Sequence, residues 1–268
     1  MSLNSNPFYH FTSLKAFKEI TSAGELLLSC CNDIKNIVVK TEALNSALRS
    51  IFEENKDLRE KLLTLAQVSE VTELIDLLCQ ERGRTYVACF YRFDETNEIE
   101  NIRNANNMWV SYADDNNGVV IKFNPNAFPL RERGFTYSID PYGNQERLGG
   151  EIRIVPVIYS QEDLVKGLNV AINSGNIIEH AFITDVYKPE SYSEEREERF
   201  LVFVDSMEEL IHDDRRFLVK QPDQDDGVGY LHYKFASQDY IQKVFCRTED
   251  TKNELCSMLK VDIEVEVI

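Results

Sequence analysis

The sequence predicts an α+β fold built on a mostly antiparallel sheet, and three observations predict it. Beyond residue 84, strand-like runs outnumber helix-like ones. The stretches joining them are short, which suits antiparallel neighbours better than parallel crossovers. Ahead of them stands a long segment with apolar residues at helical spacing and no β pattern. The expected arrangement is a single domain over residues 1–268, with a helical insertion at about 41–83 between the first strands and the rest of the sheet.

Each element has its own signal. Phe8 to Phe11 reads as a short strand, and Ser13 then caps a helix whose apolar face is Leu14, Phe17 and Ile20, closed by Gly24. Leu26-Leu27-Leu28 is a second strand. Thr41 is the expected cap of a helix carrying Leu44, Ala47, Leu48, Ile51 and Phe52. Two further helical series follow, one on Leu58, Leu62, Leu65 and Ala66, the other on Val71, Leu74, Ile75 and Leu78, ending before Gly83. Tyr86–Tyr91 resumes the β pattern. A polar loop from Asp94 to Asn104 leads to a short helix at Asn107–Ala113. The turn Asp115-Asn116-Asn117-Gly118 then feeds a strand that Pro125 stops.

Ile152–Tyr159 is a further strand. Ser160 and Asp163 form a capping box for a helix with Leu164, Val165, Leu168 and Ile172. A helix around Ile177–Val186 breaks at Pro189. A charged run then enters the strand Phe200–Val204. Strands at Tyr230–Phe235 and Val244–Arg247, a helix at Asp250–Leu259 and an alternating strand on Val261, Ile263, Val265 and Val267 complete the chain.

The charge balance narrows the function. Twenty-nine basic residues against 46 acidic ones give a net charge of −17. Duplex nucleic acid and anionic membranes are gripped by clustered Lys and Arg, so neither is an expected partner. No run approaches a membrane span, and the first residues carry no signal-peptide pattern, so a cytoplasmic location is expected. None of the cysteines (Cys30, Cys31, Cys79, Cys89, Cys246, Cys256) forms a C-x-x-C pair or has a histidine at zinc spacing. Buried free thiols are expected, and no metal.

Three pieces could carry chemistry. His10, with Thr12 and Ser13 beside it, could donate to a bound hydroxyl near a helix start, or could be a packed histidine on an amphipathic strand. Tyr91, Trp109 and Tyr112 could stack on a planar ligand, or could anchor the core. Glu195-x-Glu197-x-Arg199 would align three side chains on one side of a strand, with Glu194 and Glu198 on the other. Paired carboxylates beside an arginine suit the stabilisation of a developing cation. A solvated charge run is the plainer alternative, and the choice among these glutamates stays open.

The opening Phe8-Tyr9-His10-Phe11-Thr12-Ser13 and Gly24–Ser29, with Ala88-Cys89-Phe90, Met108-Trp109, Tyr112-Ala113, Gly118–Phe123 and Tyr192-x-x-Glu195-x-Glu197-x-Arg199, resemble a bacterial family known as domain of unknown function 2971. Tyr91 stands where that family tends to have serine, and its Asn-Asp element is reduced to Asn32-Asp33. The order of these landmarks is also similar to ADP-ribosyltransferases of the diphtheria-toxin and poly-ADP-ribose-polymerase type. That resemblance implies a split, mostly antiparallel sheet and NAD as substrate, with no metal. It implies a mono-ADP-ribosyltransferase, a toxin or effector that a secretion system could deliver into a host or competitor cell.

Under that resemblance the catalytic set would be Glu197, Glu195, His10 and Tyr112. The NAD-binding set would be His10, Thr12, Ser13, Tyr91, Trp109, Tyr112 and Arg199. His10 would bond the ribose. The aromatic residues would sandwich the nicotinamide. Glu197, or else Glu195, would stabilise the oxocarbenium-like transition state. The acceptor would sooner be protein than nucleic acid. A non-catalytic module of the same fold that binds NAD, ADP-ribose or another nucleotide is the alternative. The transferase reading requires His10, the aromatic group and the glutamate pair to converge on one pocket.

Overall fold

The computed structural model describes residues 7–30, 37–82, 85–93, 95–128, 131–133, 136–138, 145–147, 150–174, 183–204, 217–220, 230–235, 238–259 and 263–268. Strand β1 (Phe8–Thr12) leads to helix α1 (Leu14–Ala23) and strand β2 (Glu25–Cys30). The Ser13 hydroxyl accepts the Ala16 N–H at 3.1 Å, and Gly24 closes the helix at φ 68°. Both ends are therefore written in single residues whose chemistry suits the cap.

Helices α2 (Ile37–Glu54), α3 (Lys56–Ala66) and α4 (Val71–Arg82) form the helical block. Thr41 is inside α2 rather than at its start, because the helix extends back over Ile37, Val38 and Val39. The sheet resumes with β3 (Thr85–Tyr91). The polar stretch after it is not a loop. It contains a 3₁₀ turn and helix α5 (Glu98–Asn104), whose first-turn acids Glu98 and Glu100 complement the helix dipole. Buried Ile102 anchors α5 inward. Helix α6 (Asn106–Tyr112) follows, then β4 (Val119–Phe123). In the connecting turn, Asp114, Asp115 and Asn116 have positive φ. Gly118 is needed there because a Cβ would meet the Thr12 carbonyl.

Short strands β5 (Arg131–Arg133), β6 (Thr136–Ser138) and β7 (Gln145–Arg147) precede β8 (Gly150–Pro156). The capping box forms as expected on helix α7 (Gln161–Ser174), with the Asp163 N–H on the Ser160 hydroxyl at 3.1 Å. The expected helix at 177–186 lies mostly outside the described residues, as do Asn32-Asp33, Gly83 and Gly175. Strand β9 (Glu197–Val204), β10 (Phe217–Lys220), β11 (Tyr230–Lys234), β12 (Ile241–Cys246), helix α8 (Glu249–Met258) and β13 (Glu264–Val267) complete the order.

The fold is mixed α+β around a large, open, mostly antiparallel sheet. Its path runs β10-β11-β2-β3-β1-β4-β12-β13, with β9 and then β8 attached to β3. The β12–β13 pair is parallel. Strand β9 covers β3 along its whole length, from Thr85↔Phe203 to Tyr91↔Glu197. A strand has two edges, so β1 and β2 must share the other one. Strand β2 takes it at Tyr86 and Val87, β1 takes it at Tyr91, and the sheet forks between them.

One face of the sheet carries the main core, rich in phenylalanine: Phe8, Phe90, Phe123, Phe128, Phe200 and Phe235. The opposite face is covered near β1 by α6, through Trp109, Met108 and Ala113 against Tyr9, Phe11 and Tyr91. Helices α2 to α4 build a separate apolar core with Leu164 and Leu168 of α7, and Ile158 and Tyr187 pack against it. The helical block therefore backs the segment that carries Lys188.

Candidate active site

Register decides which side chains can meet. Residues directly opposite in adjacent strands point to the same side of a sheet. Tyr9 pairs with Tyr91, Tyr91 with Glu197, and Cys89 with Arg199. These five share one face. His10 alternates to the other, where its ring meets Phe90 and Phe123 at centroid distances of 5.8 and 6.4 Å.

On the first face is a buried group of charges. The Lys188 ammonium donates to both the Glu195 and the Glu197 carboxylates. Arg199 Nε donates to the other Glu197 oxygen at 2.7 Å, and its Nη1 to the Asp185 carbonyl. The Lys188 side chain is 1% exposed, that of Glu197 0% and that of Glu195 9%. Glu195 is therefore the outer carboxylate, and Glu197 is held from both sides.

The backbone sets this up locally. Glu195 ends a 3₁₀ turn (Glu190–Glu195), and Arg196 takes a left-handed conformation at φ 47°. The stretch is thus bent between the two glutamates, where the sequence reading has it extended. Both carboxylates still reach one lysine, by a turn and not by strand alternation. Lys188 itself is pinned by its N–H to the Ile158 carbonyl at 2.9 Å, beside the Ile158 N–H to Val186 carbonyl bond at 2.8 Å. The Glu197 N–H donates to the Tyr159 hydroxyl at 2.9 Å.

Protonation follows from these contacts. Burial pushes Glu197 up, but Arg199 and Lys188 together overcome it and hold the carboxyl far below its ordinary range. Burial also pushes Glu195 up, and there Lys188 does not fully offset it, so Glu195 titrates above its ordinary range. Desolvation lowers the Lys188 pKa, yet the charge of Glu197 reverses this and keeps the amine protonated. Burial, followed by the charge of Glu197, lifts the Cys89 thiol to about 12. The Tyr112 and Tyr159 phenols also rise to about 12, burial being the largest cause in each. A pair of carboxylates whose environments drive their protonation apart is what acid–base chemistry uses.

The tyrosines frame this pair. Tyr91 is buried, its ring centroid 6.2 Å from that of Tyr112. Its hydroxyl makes no hydrogen bond among the described residues, although Glu197, Tyr112, Cys89 and Glu195 all act on it. Tyr112 and Tyr192 are partly exposed, and the Lys188 ammonium lies 5.7 Å from the Tyr192 ring centroid. Two partly exposed aromatic rings thus stand near the charged group.

The residues expected from the sequence divide. Glu195, Glu197, Arg199, Tyr91 and Tyr112 come together. His10 does not join them, so the expected convergence on one pocket is corrected. Its Nδ1–H donates to the Cys89 carbonyl at 2.9 Å, in the fork between β1 and β2. Burial lowers its pKa, against the Cys89 bond, so it is a neutral, packed residue. Thr12 is buried on the His10 side, and Ser13 is occupied as a helix cap.

Trp109 is fully buried, with Nε1 donating to the Ile102 carbonyl at 2.8 Å and Arg247 4.8 Å from its ring centroid. It cannot stack on a ligand and serves as the anchor of α6. Glu198 lies on the His10 side and pairs with Arg92 at 2.7 Å. An open depression of about 490 Å³ beside α5 is lined by Thr96 to Glu100 with Arg103 and Asn104, and touches none of the carboxylate pair.

Sequence reasoning missed Lys188 and Tyr159. The one available signal for Lys188 is its isolation: between Lys166 and Arg196 it is the sole lysine or arginine.

Residues 108–200 match the model of a family described as protein of unknown function (DUF2971). The match supports the resemblance to that unknown-function family. It runs from α6 to β9 and so contains Tyr112, Tyr159, Lys188, Glu195, Glu197 and Arg199, but neither His10 nor Tyr91. No curated protein and no solved structure matches the chain. Among the described residues, no helix is long and apolar enough to cross a membrane, and no cluster of His, Cys, Asp and Glu could hold a metal ion.

Proposed function

We propose that the protein is an NAD-dependent mono-ADP-ribosyltransferase, acting on a protein acceptor as a toxin or effector, and that Glu195 is its substrate-facing carboxylate. One observation carries this reading. Two buried carboxylates share one buried lysine on the sheet face that also carries Tyr91. Buried ion groups are poor devices for stability, since their desolvation rivals their attraction. A function is the better reason for placing one beside partly exposed tyrosine rings.

The chemistry follows in order. The bond between the ribose C1′ and the nicotinamide nitrogen breaks, and its electron pair leaves with neutral nicotinamide. The cationic sugar then faces a carboxylate. An acceptor nucleophile forms the new bond at C1′ and releases its proton to Glu195, whose raised pKa makes it the better base of the pair. Glu197 is saturated by Lys188 and Arg199 and stays ionised behind it. The Tyr112 and Tyr192 rings would wall the nicotinamide end. With His10 on the far face, the histidine-type transferase that the resemblance implies fails its own requirement of one shared pocket, and the transferase proposed here rests on the carboxylates and the tyrosines alone.

A module that binds NAD, ADP-ribose or another nucleotide without turnover is the second reading. The closure of Glu197 by two cations favours it. Incubation with labelled NAD and a cell lysate separates the two. Transfer of label to protein, with nicotinamide released, is the expected result. Saturable NAD binding with no release would give the second reading.

A further inference from the structure

Among the described residues, Lys188 is the one whose side chain pairs with both carboxylates, and nothing in the reaction as proposed uses it. Its Nζ meets Glu195 and Glu197 together. Its backbone is tied to Ile158, and the neighbouring Tyr187 is packed against the core of the helical block. The ammonium therefore has little freedom to follow one carboxylate away from the other. Arg199 reaches Glu197 from the opposite oxygen.

We infer that Lys188 is a positioning residue, whose fixed ammonium holds Glu195 and Glu197 as an unequal pair with Glu195 as the member that exchanges protons. This deepens the proposed function, and rests on it only for the reaction served. Described groups from several elements act on the pair. Strand β3 supplies Cys89 and Tyr91, and α6 supplies Tyr112. Tyr159 comes from the segment after β8, and Tyr192 from the turn ahead of Glu195. Arg199 and the Asp185 carbonyl close the far side. Of these, Lys188 and Arg199 are the cations, and Arg199 serves Glu197. Without Lys188, Glu195 would face Glu197 with no paired cation among the described residues. A carboxyl that loses an adjacent opposite charge rises by about 1–3 pH units.

The test is a carbon-13 NMR titration of the glutamate carboxyl carbons in the full chain, which needs no ligand and no turnover. The Glu195 and Glu197 signals are assigned by their loss in Glu195→Gln and Glu197→Gln. In Lys188→Met the Glu195 midpoint should rise by about 1 unit or more. In Lys188→Arg, where a planar fork can span two carboxylates, it should stay within about half a unit of the native value. Should Lys188→Met fail to fold, Lys188→Gln, of similar length and uncharged, gives the same reading. An unmoved Glu195 midpoint in the uncharged variants would overturn the inference. A shifted midpoint in a protein that never releases nicotinamide would keep Lys188 in this role while removing the transferase. Turnover whose acidic limb ignores Lys188 would do the reverse.

Discussion

The two faces of β3 and β9 differ in kind, though they alternate residue by residue along the same strands. On one, Phe90, Phe200 and Ala88 join an aromatic core with Phe8, Phe123 and Phe128. On the other, Cys89, Tyr91, Glu197 and Arg199 face Lys188 and Glu195. Moving one residue along a strand exchanges ring packing for a buried ion group. The first face is held by area and close packing, which tolerate conservative change. The second is held by charges that must be matched exactly in number, because a buried charge left alone costs more than the pair ever contributes.

That contrast sets the expected sizes. Glu197→Gln should be the most damaging, about 3–5 kcal/mol in urea unfolding at neutral pH, because Lys188 and Arg199 lose their shared counter-charge. The pH dependence has a sign. The folded pKa of Glu197 is depressed, so its contribution is complete above the ordinary carboxylate value of 4.5 and is lost as pH falls below it. The penalty of Glu197→Gln should therefore shrink as unfolding is measured at pH values below 4.5. A pH-independent penalty would mean that the ion group is not formed.

On the aromatic face, Ile121→Val should cost about 0.5–1.5 kcal/mol, the loss of one buried methylene, and should leave any NAD turnover per folded molecule unchanged. A change in turnover would show that the core face also touches the ligand. Glu198→Gln should be the mildest, under about 1 kcal/mol, since burial raises the Glu198 carboxyl and Arg92 does not fully offset it, so its charge contributes little. Turnover should again stay unchanged. Glu198 is one position from Glu197 on β9, and Ile121 lies three strands across on the aromatic face, so the contrast between faces is tested directly.

How much of this was legible follows from how local each signal is. The β1–α1–β2 opening could be read residue by residue, because Ser13 and Gly24 act on their own neighbours. The capping box at Ser160 and Asp163 was legible for the same reason. Helix α5 was not, since its polar surface hides a single inward residue, Ile102, whose carbonyl partner Trp109 lies outside it. Thr41 misled because a good cap residue was already inside a helix begun by Ile37.

At the site, the Glu195–Glu197 spacing drew notice, but the pair forms through a left-handed Arg196 and not through an extended run. Lys188 could not be assigned, because its role exists only once Ile158 has fixed the chain beside it. His10 could not be placed on a face until register was known. The Tyr9↔Tyr91 pairing decided it, and no local property of the histidine carries that information.

The central claim is that the charged face, not the His10 face, holds the ligand. Nicotinamide release from NAD by Glu195→Gln and by His10→Gln, each compared with the native chain at equal folded concentration, tests it most directly. Removing the substrate-facing carboxylate should lower release by about 10²-fold or more, while NAD binding persists. His10→Gln should release nicotinamide within about threefold of the native rate, since a gap of 1.4 kcal/mol would be needed for tenfold. Release that survives in Glu195→Gln and collapses in His10→Gln would contradict the account and move the site to the other side of the sheet.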